Sequence, residues 1–480
     1  MSLNLKWFYS AIFIFLAIMV AGMVSEFYWV FLLPLALLII LMAFYRLEVL
    51  MLIAVFVTPL SINLQKTDLG IGMSLPAEPL IFGIMLIFFI KLIYDRKFDK
   101  AILTHPVSIL ILLHLIWMCI ATVFSTLPLV SVKATLARIC FVSVFYFLAT
   151  QLFRDFKNIN RFLWLYSGTL IAVVIYTILV HASHNFDEKS AHSAMTPFYN
   201  DHTAYAAVIA MFIPVMVLKA SDNTQTISIR TLALLLTAIF ISALIDSYTR
   251  AAWISITAAL IASLAFLFRV KTGIVIAAAG IVLIGIVSQW TQIIIKLESN
   301  TEKSSTDYKQ HLESISNIST DASNVERVNR WLSALRMFKE KPVFGWGPGT
   351  YQFQYAPFQR NNEKTYISTN VGDRGSSHSE YLGPLSEEGF IGMLLFMMIA
   401  IAVVYQNSKY TTHAKNKTNR MLAIGIILGL TTYWAHGFLN YFLDTDKASV
   451  PFWGFIAALV ALQVYHNDEK DQNPKLRVRN

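Results

Sequence analysis

The run Ser376-Ser377-His378-Ser379-Glu380-Tyr381-Leu382 sets an imidazole among hydroxyls, two residues before a carboxylate. Histidine titrates near neutral pH, so its neutral ring can take a proton from an acceptor hydroxyl. A structural histidine is the bland alternative, and on spacing alone the commoner one. Upstream, Arg327 and Arg330 lie about one turn apart in a segment with helical periodicity, 324–338. A guanidinium pair suits a diphosphate, because its planar fork makes bidentate contacts. An interfacial amphipathic helix whose arginines touch lipid headgroups would give the same pattern. A third cation, Arg250 in Ser247-Tyr-Thr-Arg250-Ala-Ala-Trp253, stands between two apolar runs with almost no loop. A fixed charge at a membrane edge is costly unless it snorkels or finds a partner. Arg250 is therefore either an interfacial anchor, with Tyr248 and Trp253 as belt residues, or a cation aimed at a phosphate.

Three weaker groups accompany these. Tyr199-Asn200-Asp201-His202 opens an apolar run. His436, Asn440 and Asp444 are spaced by four and are expected to share a helical face. Lys133 and Arg138 lie near the outer end of another run. For each group, interhelical hydrogen bonding or snorkelling is the plainer reading. The chain has no P-loop, no GxGxxG after a strand, no HExxH and no CxxC pair. No acidic cluster calls for a metal and no cofactor is expected. With no nucleotide site, nucleotide-driven transport by this chain alone is disfavoured.

The elements that must hold these residues are membrane helices. Of 480 residues, 56% are hydrophobic and 14% charged. A soluble domain carries about 25% charged residues. Disorder is excluded by the same numbers, and a disulfide scaffold by the two cysteines, Cys119 and Cys140, both within apolar runs. The runs do not alternate, so they are not barrel strands. A net charge of +9 in a soluble chain would suggest nucleic acid, but in a membrane protein it asks which loops carry the lysines and arginines. No nucleic-acid partner is expected.

Fourteen candidate spans follow from the need for about 20 apolar residues per crossing. They lie near 7–24, 27–45, 48–63, 79–95, 107–125, 131–153, 162–181, 203–219, 231–248, 250–269, 272–290, 389–405, 421–442 and 449–465. Basic residues follow the second, fourth, sixth, eighth, tenth and twelfth spans and fill the tail. All of these segments share one parity, which puts both termini in the cytoplasm. The opposite parity holds 182–202, the 248–250 junction, 443–448 and a long loop, 290–389. That loop balances 11 Lys/Arg with 12 Asp/Glu. Its helix, 324–338, should bury Val328, Trp331, Leu332, Leu335 and Phe338 on one face and end at Lys341-Pro342. Gly345-Trp-Gly-Pro-Gly349 can form only a tight loop. The expected fold is thus all-α and polytopic, with about 12–14 transmembrane helices and one large, partly helical outer loop. Its parts are N-terminal helices 1–202, central helices 203–289 with the Arg250 junction, the loop 290–389, and C-terminal helices with a tail, 390–480.

Taken in order, these segments resemble the O-antigen ligase and polymerase superfamily. The resemblance rests on Ser247-Tyr-Thr-Arg250-Ala-Ala-Trp253, Glu326-Arg327-Val-Asn-Arg330-Trp331, Pro342-Val-Phe-Gly345-Trp-Gly347-Pro-Gly349, and His378-Ser-Glu-Tyr-Leu382 with Glu388-Gly389-Phe-Ile-Gly392. It covers roughly 195–395. The family often has Asn after its loop histidine, where this chain has Ser379. The resemblance implies a metal-independent, inverting glycosyltransferase in the bacterial inner membrane, with its active site facing the periplasm. It implies an undecaprenyl-pyrophosphate-linked glycan as donor and lipid A–core or another glycan as acceptor, with membrane lipid around both. Polymerases and protein O-oligosaccharyltransferases of the same superfamily remain alternatives. A non-enzymatic translocator of lipid-linked glycans is a more distant one. By this resemblance Arg250, Arg327 and His378 are the catalytic residues. Arg330, Glu380, Tyr381, His202, Asn200, Arg138 and His436 are the substrate-binding candidates. The arginines would neutralise the leaving diphosphate, typically worth a few kcal/mol per well-placed donor. His378 would accept or orient the acceptor proton, worth roughly 10²–10⁴ in rate.

Overall fold

The structure is a computed structural model describing residues 5–26, 45–64, 73–268, 322–364 and 375–467, with scattered single positions between them. The candidate spans 27–45 and 272–290 lie largely outside the described residues. Its helices in chain order begin with Leu5–Val24 (α1), Leu47–Val57 (α2), Ala77–Asp95 (α3), Pro106–Val123 (α4) and Pro128–Leu152 (α5). Phe156–Ser183 (α6), His202–Ser221 (α7), Ile227–Asp246 (α8) and Arg250–Leu267 (α9) follow. Then come Ala322–Glu340 (α10), Leu382–Glu387 (α11), Gly389–His413 (α12), Lys417–His436 (α13) and Asp446–Tyr465 (α14). Among the described residues nine helices, α3 to α9, α12 and α14, are long and apolar enough to cross a membrane. The fold is all-α and polytopic, relieved by a two-stranded antiparallel hairpin that pairs Ile62–Leu64 with Met73–Leu75.

Helix α13 is less apolar than these nine but sits at the centre, where protein rather than lipid covers it. Gly425 and Gly429 form a GxxxG stripe on it. A side chain at Gly429 would overlap the Met211 carbonyl of α7, and one at Gly425 would stand 3.1 Å from the Val215 Cα. Small residues at this spacing let two backbones close on each other where lipid gives little hydrophobic drive. Helix α14 is buried over 89% of its most apolar window, and Trp453 and Phe452 belong to its core. A π-helical stretch at Ser143–Leu148, all six residues buried, widens α5 against that core.

Two sequence expectations need correction. The thirteenth span was expected over 421–442, but α13 ends at His436 and 437–445 run as turns. His436, Asn440 and Asp444 therefore share no helical face. The cause is Glu380: its Oε1 accepts the Phe442 and Leu443 N–H groups at 2.7 and 2.9 Å, and its own N–H reaches the Gly437 carbonyl at 2.7 Å. Those bonds replace the ones a continuing helix would make. The second correction concerns α10. Of the predicted apolar stripe only Val328 is buried; Trp331, Leu332, Leu335 and Phe338 are half-buried. The buried side chains are Glu326, Asn329, Arg330, Ser333, Ala334 and Met337. The helix turns its polar stripe inward because the segments at 350–380 supply partners for it.

Candidate active site

Helix α10 carries Arg327 and Arg330, and Arg330 is fully engaged. Its Nε donates to Glu326 Oε1 at 2.7 Å, one turn back, and its Nη1 to the Ser376 carbonyl at 3.2 Å. The guanidinium also lies 5.0 Å over the Tyr355 ring. A Cβ at Gly375 would fall inside that guanidinium, so only glycine lets the chain pass there. Glu326 is shared in turn with Asn329 and Ser368, and Asn329 also donates to Gln359 at 2.8 Å. A buried pair of this kind, with its remaining valences filled, rigidifies its surroundings. Arg330 thereby fastens the approach to His378 onto α10.

His378 stands at φ +49°, a left-handed conformation that a non-glycine residue holds only when its surroundings enforce it. The enforcement is visible. Its carbonyl accepts from Trp331 Nε1 at 3.2 Å, and its N–H donates to Ser376 Oγ at 3.3 Å. The Asn440 amide lies beside its ring. Burial of the ring and then the charges of Arg327 and Arg330 push it down to about 3. The imidazole is therefore neutral around pH 7, as a proton acceptor must be.

From the other side come α7 and α13. His436 is 1% exposed, and its Nε2 lies 3.0 Å from Asn440 Nδ2. His436 and His378 both have Arg327 and Asp201 as electrostatic neighbours. Asp201 caps α7 through the Thr203 N–H at 2.8 Å and sits 3.2 Å from His202 Nδ1. The His202 ring stacks on His192 at 4.3 Å. Thr249 Oγ1 reaches the His202 carbonyl at 3.5 Å, which ties the start of α9 to this group. Arg250, half-buried, is the first residue of α9. A cation there opposes the helix dipole and does nothing for helix stability, whereas that end attracts anions.

The remaining predicted residues are placed apart from His378. Glu380 turns towards 433–443: Tyr433 donates to its Oε1 at 2.6 Å, together with the two backbone N–H groups. Burial outweighs those donors and pushes its carboxyl up to about 7. Tyr381 donates to the Trp434 carbonyl at 2.9 Å and packs on Phe438 at 4.4 Å. Arg138 pairs with Asp444 at 3.1 Å. Asn200 is exposed at the bend before α7.

The glycine loop closes the group from below. Gly345, Gly347 and Gly349 all have positive φ. Trp346 and Gly347 donate to the Ser386 and Glu387 carbonyls at 3.0 and 2.8 Å, and the Tyr351 N–H to Glu387 Oε1 at 2.9 Å. This latch fixes α11 and, through it, 376–381. Sequence reasoning missed the buried pair His114–Glu388 at 2.9 Å. A histidine inside an apolar run was a usable signal for it. A cavity of about 440 Å³ opens at the far ends of α4 and α12, lined by His105, Gln406, Lys409, His413 and Gln463 among others. It belongs to neither arginine nor to His378.

Residues 232–397 match the family described as O-antigen ligase. The match takes in Arg250, Arg327, Arg330 and His378. His202, His436 and Asn440, which stand round them, lie outside it. No curated protein matches the chain. The similarity to the O-antigen ligase family thus rests on 232–397, the part of the chain that carries these arginines and His378.

Proposed function

We propose that this chain is a ligase-type membrane glycosyltransferase, moving a glycan from undecaprenyl pyrophosphate to an acceptor hydroxyl on the periplasmic face of the bacterial inner membrane, with lipid A–core as the acceptor. One observation supports this most: a neutral, conformationally constrained histidine within the field of Arg327 and Arg330. The acceptor oxygen attacks the anomeric carbon from the side opposite the diphosphate. The carbon–oxygen bond to the phosphate breaks and the diphosphate leaves with its electron pair, so the anomeric centre inverts. Arg327 and Arg250 take the charge that develops on the diphosphate. The acceptor hydroxyl gives its proton to a ring nitrogen of His378. Before the donor arrives that nitrogen is a weak base, because burial and Arg327 hold it down. The negative diphosphate offsets the arginine field and restores its basicity, so base strength and donor binding rise together.

The test is transfer in vitro with purified protein, lipid-linked donor and acceptor. His378→Ala is expected to keep its membrane abundance and donor binding while losing roughly 10²–10⁴ in turnover. Arg250→Lys and Arg327→Lys should lose activity in part, since an ammonium cannot reproduce the fork. Near-normal turnover by His378→Ala removes the base from the mechanism, and full activity of both lysine variants makes the arginines headgroup anchors. The glycan profile of a deletion strain decides the reaction. Ligase loss leaves polymer on the carrier lipid, whereas polymerase loss leaves single capped units on lipid A–core.

A further inference from the structure

The cavity of about 440 Å³ at the ends of α4, α12 and α14 has no place in the transfer reaction, yet its walls are chemically one-sided. Lys409 and His413 come from the last turns of α12, Thr104 and His105 from the start of α4, and Gln463 from the last turn of α14. Among the described residues no carboxylate lines it. Asp99, in the preceding segment, is committed elsewhere: its Oδ1 accepts from the Ala101 N–H at 2.9 Å and its Oδ2 from the Tyr465 hydroxyl at 2.6 Å. His105 Nδ1 accepts the Val107 N–H at 3.3 Å, so the ring proton is on Nε2 and goes to Gln463 Oε1 at 2.9 Å. That leaves the Gln463 amide nitrogen, with two N–H groups, for another acceptor. Lys409 adds an exposed ammonium, and its carbonyl takes His413 Nδ1 at 2.8 Å, which holds that ring at the wall. Donors and positive charge in a hollow of this size fit an oxyanion that carries a substituent.

The helix faces leading to the cavity say which substituent. Helices α4 and α12 run antiparallel, since His114 and Trp117 meet Glu388 at the start of α12 while the start of α4 meets its end. Ile109 and Leu113 on α4, and Ile401 and Tyr405 on α12, are exposed, each pair spaced by four and so on one face. On α12 the next residue of that series is Lys409. An apolar stripe thus runs straight into the cation at the cavity. A free anion would use the donors and leave the stripe idle; a lipid uses both. We propose that this cavity binds the phosphodiester headgroup of an anionic phospholipid, with acyl chains lying along the crease between α4 and α12. Segments 96–100 and 415–420 beside it carry Arg96, Lys97, Lys100, Lys415, Lys417 and Arg420 against the single acid Asp99. Such a cluster draws anionic lipid to the surface, and a basic pocket between helices fixes one headgroup out of that population. The basic loops predict that this leaflet is the cytoplasmic one, and the class of ligand does not depend on it. A lipid held there joins the ends of three helices, so its binding raises thermal stability.

The test uses the full chain in detergent, titrated with phosphatidylglycerol, with phosphatidylcholine of the same acyl chains, and with inorganic phosphate. It reads the melting temperature and, by native mass spectrometry, the bound lipid. Phosphatidylglycerol is expected to raise melting saturably, and the other two are expected to leave it unchanged. Lys409→Gln alters an exposed side chain and should weaken phosphatidylglycerol binding roughly tenfold or more, the range for a hydrogen bond to a charged group. Lys417→Gln, at an exposed lysine of the same end that does not line the cavity, should weaken it less than about fivefold, the effect of a cation merely near the surface. Gln463→Met removes the amide donor at similar volume and should weaken binding a few-fold. An equal melting shift from phosphatidylcholine or from inorganic phosphate overturns the proposal. So do equal losses in the two lysine variants, which would mean a diffuse attraction, and unchanged binding in Gln463→Met, which would put the anion outside the cavity. Because Gln463 also holds His105, a Gln463→Met chain that already melts low without lipid is set aside, and the lysine pair decides. The competing occupant is the chain's own tail, since Asp468, Glu469 and Asp471 follow Asn467 at the cavity wall. Phosphatidylglycerol binding that appears only after Asp468→Asn, Glu469→Gln and Asp471→Asn are combined would assign the cavity to the tail and sink the lipid.

Discussion

Glu380 stands two residues from His378, yet its chemistry is that of a clasp. Three donors converge on its Oε1, and burial still outweighs them and pushes the carboxyl up to about 7. In the unfolded chain the group gives up its proton near 4.5. Between those two values the folded state holds a proton that the unfolded state has released. Its contribution to stability is therefore full below about 4.5 and is lost as the pH rises through 7. Glu380→Gln keeps the accepting oxygen and removes the titration. Thermal melting in detergent between pH 5 and pH 8 should show a shallower decline for the variant than for the parent, with transfer reduced by no more than a few-fold. Identical slopes would assign the pH dependence elsewhere, Glu387 being the next carboxyl, raised by burial to about 8. In the sequence, position 380 shows a carboxylate beside a candidate base. Its direction depends on backbone groups at 442 and 443, a long way off in sequence, and no local spacing carries that information. Arg330 was hidden in the same way: its partners Glu326 and Ser376 belong to a helix and to a loop that meet only in the fold.

The glycine-rich loop and the start of α12 form a latch between elements. Gly389 sits at φ +74°, where a Cβ would overlap the Val343 carbonyl, and the neighbouring Phe390 N–H donates to the Pro342 carbonyl at 3.0 Å. Gly389→Ala suffers twice, from a backbone conformation worth about 1–3 kcal/mol of strain and from the clash. It should melt well below the parent and lose transfer with it, because the latch holds α11 and hence 376–381. Gly83→Ala is the matched control. It lies in α3 with nothing within 4 Å of its added methyl, and in a helix alanine is favoured over glycine by about 0.5–1 kcal/mol. Equal melting of the two variants would show that the latch contributes nothing. The loop itself was legible, since five residues containing three glycines and a proline admit few other conformations. The helix at 322–340 was legible too. Which of its faces turns inward was not, because apolar periodicity assumes that the interior is apolar, and here the interior is a set of polar partners at Gln359, Ser368 and Ser376.

Contacts between connecting segments fall into two sets. At one end Thr126 donates to Trp346, Tyr248 to Phe186, Thr249 to His202 and Glu380 to Gly437, all through carbonyls of segments that the parity assigns outward. At the other end Tyr465 meets Asp99 at 2.6 Å, Arg154 lies over the Tyr465 ring at 5.8 Å, His466 reaches the Phe153 carbonyl at 2.9 Å, and Thr224 meets Thr418 at 2.6 Å. Those segments carry the excess of lysine and arginine. The expected orientation rests on those basic residues, since lysines and arginines are retained on the cytoplasmic side whatever the helices between them look like. The helices near 27–45 and 272–290 lie largely outside the described residues, so the parity rests on the basic loops rather than on a count of crossings. Cysteine labelling tests it directly. Cys119 is exposed and must first be replaced, while Cys140 is buried. Into that background go Ser305→Cys in the long loop and Lys415→Cys, an exposed position between α12 and α13. In intact spheroplasts an impermeant maleimide should label 305 and leave 415 untouched until the membrane is opened. Labelling of 415 without 305 would invert the molecule, put His378 and the arginines on the cytoplasmic side, and remove the periplasmic transfer proposed for them.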